Sequence, residues 1–265
     1  MDHASPSTSS LVALEWSTPY VAIVKLNDPR HLNAMTVGMA EQFASIVGSL
    51  GQLGETELRA VVITGVGRAF SAGGDLGWLE ERTSDTRANN KRIMHDFYSA
   101  ILTLRSLPIP VIAAINGAAY GAGLCLALAC DMRIAARGAK LCLPFTNLGL
   151  HPGMGGSVFV AMSCGWQKAF ELLLLGKQVQ GDAAEALGLV TLARDGAALK
   201  DALALAHEIA ARPPHAVRAT LQTLRTAQDK YWALEEALRK QADAQADGFA
   251  NGECKNAIAK LRSKL

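Results

Sequence analysis

The sequence predicts an α/β fold, with a layered core over residues 11 to 200 and a helical region over residues 201 to 265. Two observations carry this. Short apolar runs followed by a glycine-rich turn and then a segment of helical spacing recur through the first 150 residues. From Gly153 onward the pattern turns mostly helical, with no low-complexity linker, so the helical region is expected to pack on its own core or on a neighbouring subunit. At 265 residues, 50% of them hydrophobic, the chain can bury a sizeable core.

The elements follow in order. MDHASPSTSS has neither a basic start nor an apolar run, which predicts a disordered leader over residues 1 to 10 rather than a secretory signal. LVALEW and YVAIVKLN, parted by Ser17, Thr18 and Pro19, predict a β-hairpin. TVGMAEQFASIVGSL sets Met39, Phe43, Ile46, Val47 and Leu50 at helical spacing, with Thr36 as N-cap. RAVVITG reads as a fully buried strand that opens the loop VGRAFSAGGDLGWL. A second long helix is expected at 89 to 107, then a strand PVIAAING, a helix at 121 to 131, and strands MRIAA and KLCLPF. Helices are expected near 155 to 164, 166 to 175, 182 to 187, 197 to 211, 214 to 227 and 230 to 247, with a strand LVTLA after the third.

Charge and cysteine usage exclude several classes. The net charge is +2, and basic residues form no dense cluster before the final dozen positions, so neither a nucleic-acid groove nor a polybasic membrane patch is indicated. The apolar stretch over residues 117 to 130 is too short to span a bilayer. Five cysteines, mostly in apolar runs and without metal-ligand spacing, predict reduced buried thiols, no metal and no cofactor. Ser263, Lys264 and Leu265 form the tripeptide that import receptors read as a peroxisomal address, so a peroxisome or related organelle is expected in a eukaryote and the cytoplasm otherwise.

Two loops, AFSAGGDL and NGAAYGAGLCLALACD, share one plan: a buried strand, a turn of small residues, then the start of a helix. Helix starts leave amide hydrogens unpaired, and small residues keep side chains out of their way. Phosphate binding lacks its usual motifs here. A pair of donors for an oxygen that becomes anionic remains open, as does close backbone packing with no ligand.

The series NDPRHLNAMT, AFSAGGDL, PVIAAINGAAYGAGLCLALACD, LGLHPGMGG and DAAEALGLV resembles the crotonase superfamily, also called the enoyl-CoA hydratase/isomerase family, from about residue 20 to 195. The resemblance implies a crotonase-like spiral of ββα repeats, a C-terminal helical trimerisation domain, and trimers or hexamers acting on an acyl-CoA. It places the two amides of an oxyanion hole at Gly74 and Ala122, and contacts to coenzyme A at Arg30, Ala34, Ala72 and Leu76, with Lys260 or Lys264 near its phosphates. The family lysine soon after the first-loop acid is replaced by Gly77. The two hydratase glutamates are replaced by Cys125 and Phe145, and the single isomerase glutamate by Gly153. Asp75, His151 and Cys125 are the remaining groups near the pocket, and Glu80, Glu81, His95 and Tyr98 could reach the acyl tunnel. The resemblance thus implies thioester enolate chemistry in fatty-acyl-CoA metabolism, with β-oxidation the pathway that the terminal tripeptide suggests. Decarboxylation is an alternative because loss of carbon dioxide makes the enolate without a base, and a non-catalytic acyl-CoA scaffold is another.

Overall fold

The computed structural model describes residues 10 to 193 and 197 to 263. Strands β1 (Val12–Thr18) and β2 (Val21–Leu26) form the expected antiparallel hairpin. Helix α1 (Val37–Gly51) starts where Thr36 Oγ1 accepts the Met39 amide at 3.2 Å, and it buries Met39, Phe43, Val47 and Leu50 on one face. Then come β3 (Ala60–Gly65), β4 (Ala69–Ser71), α2 (Leu76–Arg82), α3 (Arg87–Leu102), β5 (Val111–Ile115), β6 (Ala118–Tyr120), α4 (Ala122–Ala129), β7 (Met132–Ala135) and β8 (Lys140–Cys142). The remainder is α5 (Gly156–Leu174), β9 (Val179–Gln180), α6 (Gly181–Ala186), β10 (Thr191–Leu192), α7 (Ala198–Ala210), α8 (Pro214–Trp232), α9 (Leu234–Ala250) and α10 (Glu253–Arg262).

The strands divide into two sheets, ordered β1-β2-β3-β5-β7-β10 and β4-β6-β8-β9. In the successive pairs β3/β4, β5/β6 and β7/β8, the first strand joins the larger sheet in parallel and the second joins the smaller, before the chain turns into helix. This is the ββα spiral that the resemblance implied. Strands β3 and β5 are buried along their whole length, as continuous apolar runs require.

Several elements differ from expectation for physical reasons. The glycine-rich loops contain β4 and β6, each three residues long and too short to show an alternating pattern. Helix α3 starts earlier than expected, where Thr86 accepts the Asn89 amide, and it ends at Leu102 in a single 3-10 turn. The two helices expected on either side of Gly165 are both present as the two halves of α5, parted where Gly165 takes the non-helical φ 75° and ψ 165°. Helix α10 was not anticipated; it buries only Cys254 and Ile258, too weak a stripe to stand out.

The helical region does not hang free of the sheets. Helix α7 sets Ala198, Ala202, Ala206 and Ala210 against Val21, Ala60, Val62, Ile112 and Ala114 of the larger sheet, and position 200, the expected junction, lies inside it. Alanine at every fourth position lets the helix approach the sheet closely. Helix α8 is tied down by Arg225, which donates to Asp131 at 2.8 and 2.6 Å and to the carbonyls of Arg105 and Leu107 at 3.0 and 2.6 Å. Lys264 and Leu265, part of the expected address, lie outside the described residues, as do residues 1 to 9 of the expected leader. Among the described residues no helix is long and apolar enough to cross a membrane, and no cluster of His, Cys, Asp or Glu is arranged to hold a metal ion.

Candidate active site

Strands β4 and β6 lie side by side in the smaller sheet, pairing Ala69 with Ala118 and Ser71 with Ala119. The glycine-rich segments that leave them are therefore neighbours too. A Cβ built on Gly73 would stand 2.7 Å from the Tyr120 carbonyl oxygen and 3.5 Å from the Ala122 nitrogen. Gly73 also takes φ 93°, a conformation that favours glycine. The packing role of these glycines is real as well: a Cβ on Gly123 would meet the Ser71 side chain at 2.6 Å, so α4 could not lie against β4 with any larger residue there.

The amide of Gly74 is aimed by its bridge to Met35. Met35 uses its own N–H and C=O, bonded to the Gly73 oxygen at 2.7 Å and the Asp75 amide at 3.1 Å, so Gly74's own N–H points to the opposite side. Ala122 is the first residue of α4, where an amide has no partner within the helix. Among the described residues no hydrogen bond uses either amide, and both residues line one cavity of about 860 Å³.

That cavity also gathers Arg30, Ala34, Ala72, Leu76 and Lys260, the positions expected to meet coenzyme A, and Phe145 and Gly153. Its apolar wall is built by Trp78, Met94, Phe97, Leu148 and Met154; Trp78 belongs to the first loop and Leu148 and Met154 to LGLHPGMGG, whereas Met94 and Phe97 lie outside those motifs. Cys125 is set behind the wall rather than on it: the residue is fully buried and its thiol donates to the Gly153 carbonyl at 3.5 Å. Burial pushes that thiol far above its usual pKa, so it is a packed neutral group.

The other candidates divide sharply. Asp75 lines the cavity, but its carboxylate caps α2 by accepting the Trp78 amide at 2.8 Å. His151, Glu80, Glu81 and His95 are not on the cavity wall; His151 Nδ1 meets the Pro152 carbonyl at 2.8 Å, and desolvation lowers its pKa. Glu80 pairs with Arg262 at 2.7 Å. Tyr98 does reach the cavity, and it is 3% exposed. Its hydroxyl donates to Gln245 Oε1 at 2.5 Å, and Gln245 Nε2 donates to the His151 carbonyl at 2.8 Å. A Cβ on Gly153 would collide with the Tyr98 hydroxyl, so the phenol stands where a side chain at 153 would begin.

Gln245 was missed by sequence reasoning. Its signal was slight: Gln241 and Gln245 lie one turn apart among buried Ala242 and Ala246, amides where an apolar face would be expected. Gln241 accepts the Gly155 amide at 2.8 Å and donates to Ser157 Oγ at 2.8 Å, so both glutamines hold the turn over residues 151 to 157.

Spiral, cavity and paired amides together define an α/β protein of the ββα-spiral class with a helical C-terminal region. Residues 18 to 263 match the model of the enoyl-CoA hydratase/isomerase family, and the chain belongs to that family of hydratase/isomerase-type enzymes. A relative from Bacillus subtilis (strain 168), described as a probable enoyl-CoA hydratase, is 34% identical over 250 residues, covering 92% of this chain and 93% of its own. An enoyl-CoA hydratase/isomerase from Mycobacterium paratuberculosis superposes with a TM-score of 0.86 at 29% identity, covering 95% of this chain and 98% of its own. A monofunctional enoyl-CoA isomerase from M. smegmatis does so with a TM-score of 0.69 at 34% identity, covering 83% and 95%. These relatives are bacterial and lend no support to a peroxisomal destination.

Proposed function

We propose that the protein binds an acyl-CoA and stabilises the enolate of its thioester through the amides of Gly74 and Ala122. One observation carries this reading: two amides without partners, on adjacent loops of the smaller sheet, open into the same cavity. Preorganised donors are worth most where negative charge develops away from water. Arg30 and Lys260 on the cavity wall supply positive charge for the phosphates of coenzyme A.

The test exploits helix geometry. Proline is well tolerated at the first residue of a helix, so Ala122→Pro removes one donor with little demand on α4. Turnover is expected to fall about 100- to 1,000-fold while coenzyme A binding, followed by calorimetry, persists. Unchanged turnover in the folded variant would show that the Ala122 amide takes no part.

One observation favours decarboxylation as the reaction. The carboxylate on the cavity wall, Asp75, is committed to capping α2, and the space beside Gly153 is held by the Tyr98 phenol. Departure of carbon dioxide leaves the enolate without a base. Incubation with a malonyl-type CoA, crotonyl-CoA and a 3-enoyl-CoA, with products followed by mass, is expected to show carbon dioxide loss and little hydration. Rapid hydration of crotonyl-CoA would exclude this reaction and the scaffold reading alike.

The same reading includes self-association. Beyond the Gly165 kink, α5 exposes Phe170 and Leu174, and its C-cap Leu175 is exposed beside them, an apolar row of the kind that marks a subunit contact.

A further inference from the structure

We infer that Arg133 and Arg105, at the far end of α4 from the cavity, are positioning residues that strengthen the Ala122 amide as a donor by bringing positive charge to the C-terminus of its helix. This rests on the Ala122 amide meeting the thioester oxygen and adds how that donor is tuned. Helix α4 is apolar and buries every residue from Gly123 to Ala129, so little water screens the field between its two ends. Its N-terminus opens into the cavity. Its last carbonyls must find their partners inside the protein.

Cys130 supplies two of those partners, its amide donating to the Ala127 carbonyl at 3.2 Å and its thiol to that of Leu126 at 3.4 Å. Guanidiniums meet the rest. Arg133 Nη1 donates to the Cys130 carbonyl at 2.9 Å and stands 3.5 Å from that of Leu128, while Arg105 Nη1 stands 3.5 Å from that of Ala129. Neutral amides would satisfy these oxygens as well. What the two arginines add is charge, placed where the helix carries its partial negative end.

That charge is not cancelled where it stands. Asp131 is held by Arg225 at 2.8 and 2.6 Å, and Arg105 pairs at 2.6 Å with Asp229, whose side chain is half exposed to water. Arg133 hydrogen-bonds only to carbonyls, with Leu189 at 2.7 Å completing its set. Three guanidiniums thus stand among two carboxylates. The negative end of α4 would oppose an enolate at the other end; neutralising it removes that opposition, and the excess positive charge attracts the anion. Eight residues rise about 12 Å. A unit charge at that distance, with an effective dielectric constant of about 20, shifts an ionisation equilibrium about 5- to 10-fold.

The test titrates acetoacetyl-CoA, whose enolate absorbs in the near ultraviolet, bound to the full-length protein. The wild-type protein is expected to ionise the bound ligand at a lower pH than the free one. Arg133→Gln, which keeps a donor and loses the charge, is expected to make that ionisation about 5- to 10-fold less favourable, with affinity for coenzyme A unchanged, and Arg133→Lys to stay near the wild type. Arg105→Gln is expected to shift the midpoint in the same direction, and it decides the matter if Arg133→Gln does not fold. An unmoved midpoint in the folded glutamine variant overturns the inference. So does an equal shift in Arg133→Lys, which would assign the effect to the shape of the guanidinium and not its charge. If the bound ligand is no more acidic than the free one, or if Ala122→Pro leaves its midpoint in place, the oxyanion reading itself falls.

Discussion

At the scale of single residues, the site is built from neutral groups in places where acids were sought. Cys125 sits at a helix start, where a thiol can be activated, yet full burial wins over the helix field and keeps the proton on sulfur. Native protein is therefore expected to leave Cys125 unalkylated by iodoacetamide at pH 8 over a time that fully modifies the unfolded chain, as read by peptide mass mapping. The same burial has a consequence for stability. Desolvation pushes Cys142 and Cys254 up to about 11, and Cys130 up to about 12 with the neighbouring Asp131 charge adding to it. Because the unfolded thiols release their protons near pH 9, the folded chain binds more protons above that point. The associated stability is fully present below pH 9 and is lost as the pH climbs through the folded values. Melting temperatures are expected to be level across pH 7 to 8.5 on this account and to fall between pH 9 and 11, and replacing Cys142 and Cys254 with alanine should flatten the alkaline fall.

At the scale of elements, what was legible depended on length. The hairpin and α1 with its Thr36 cap announce themselves by pattern, and the buried strand β3 by its continuous apolar run. Strands β4 and β6 do not, yet they aim the two amides; the glycines that follow them were the legible sign. The pocket residues that came from matching motifs, Gly74, Ala122 and Arg30 among them, line one cavity, and the tail candidate Lys260 lines it too. The Tyr98–Gln245 bond joins positions 147 residues apart, and no local pattern encodes such a contact. Arg225 of α8 is another case of long reach. With Asp131 it forms an ion pair whose side chains are 10% and 13% exposed, so removing the guanidinium would leave a carboxylate with little water to turn to. Arg225→Ala is expected to cost about 3–5 kcal/mol in urea denaturation, whereas removing both partners together should cost less than the sum of the single changes.

At the scale of the whole molecule, two surfaces of α5 serve different ends. Before Gly165 the helix buries Val158, Phe159, Val160 and Ala161 against the core; after it, Phe170 and Leu174 stand 58% and 67% exposed. A monomer gains little from such a row, and an assembly would cover it. Light scattering coupled to size exclusion is expected to report an oligomer for the native chain and a smaller species for Leu174→Glu, with the far-ultraviolet spectrum unchanged. A native monomer at micromolar concentration would refute this use of the surface.

The glutamines of α9 tie the turn at 151 to 157, and α10 places Ala257, Lys260 and Leu261 on the cavity wall. The two sheets, by contrast, are complete by residue 192. A nascent chain halted between these points would possess its scaffold and both amides but not the part of the cavity wall that Gln245, Ala257, Lys260 and Leu261 supply. The wall of the cavity is thus completed only when the last two helices have been made and docked.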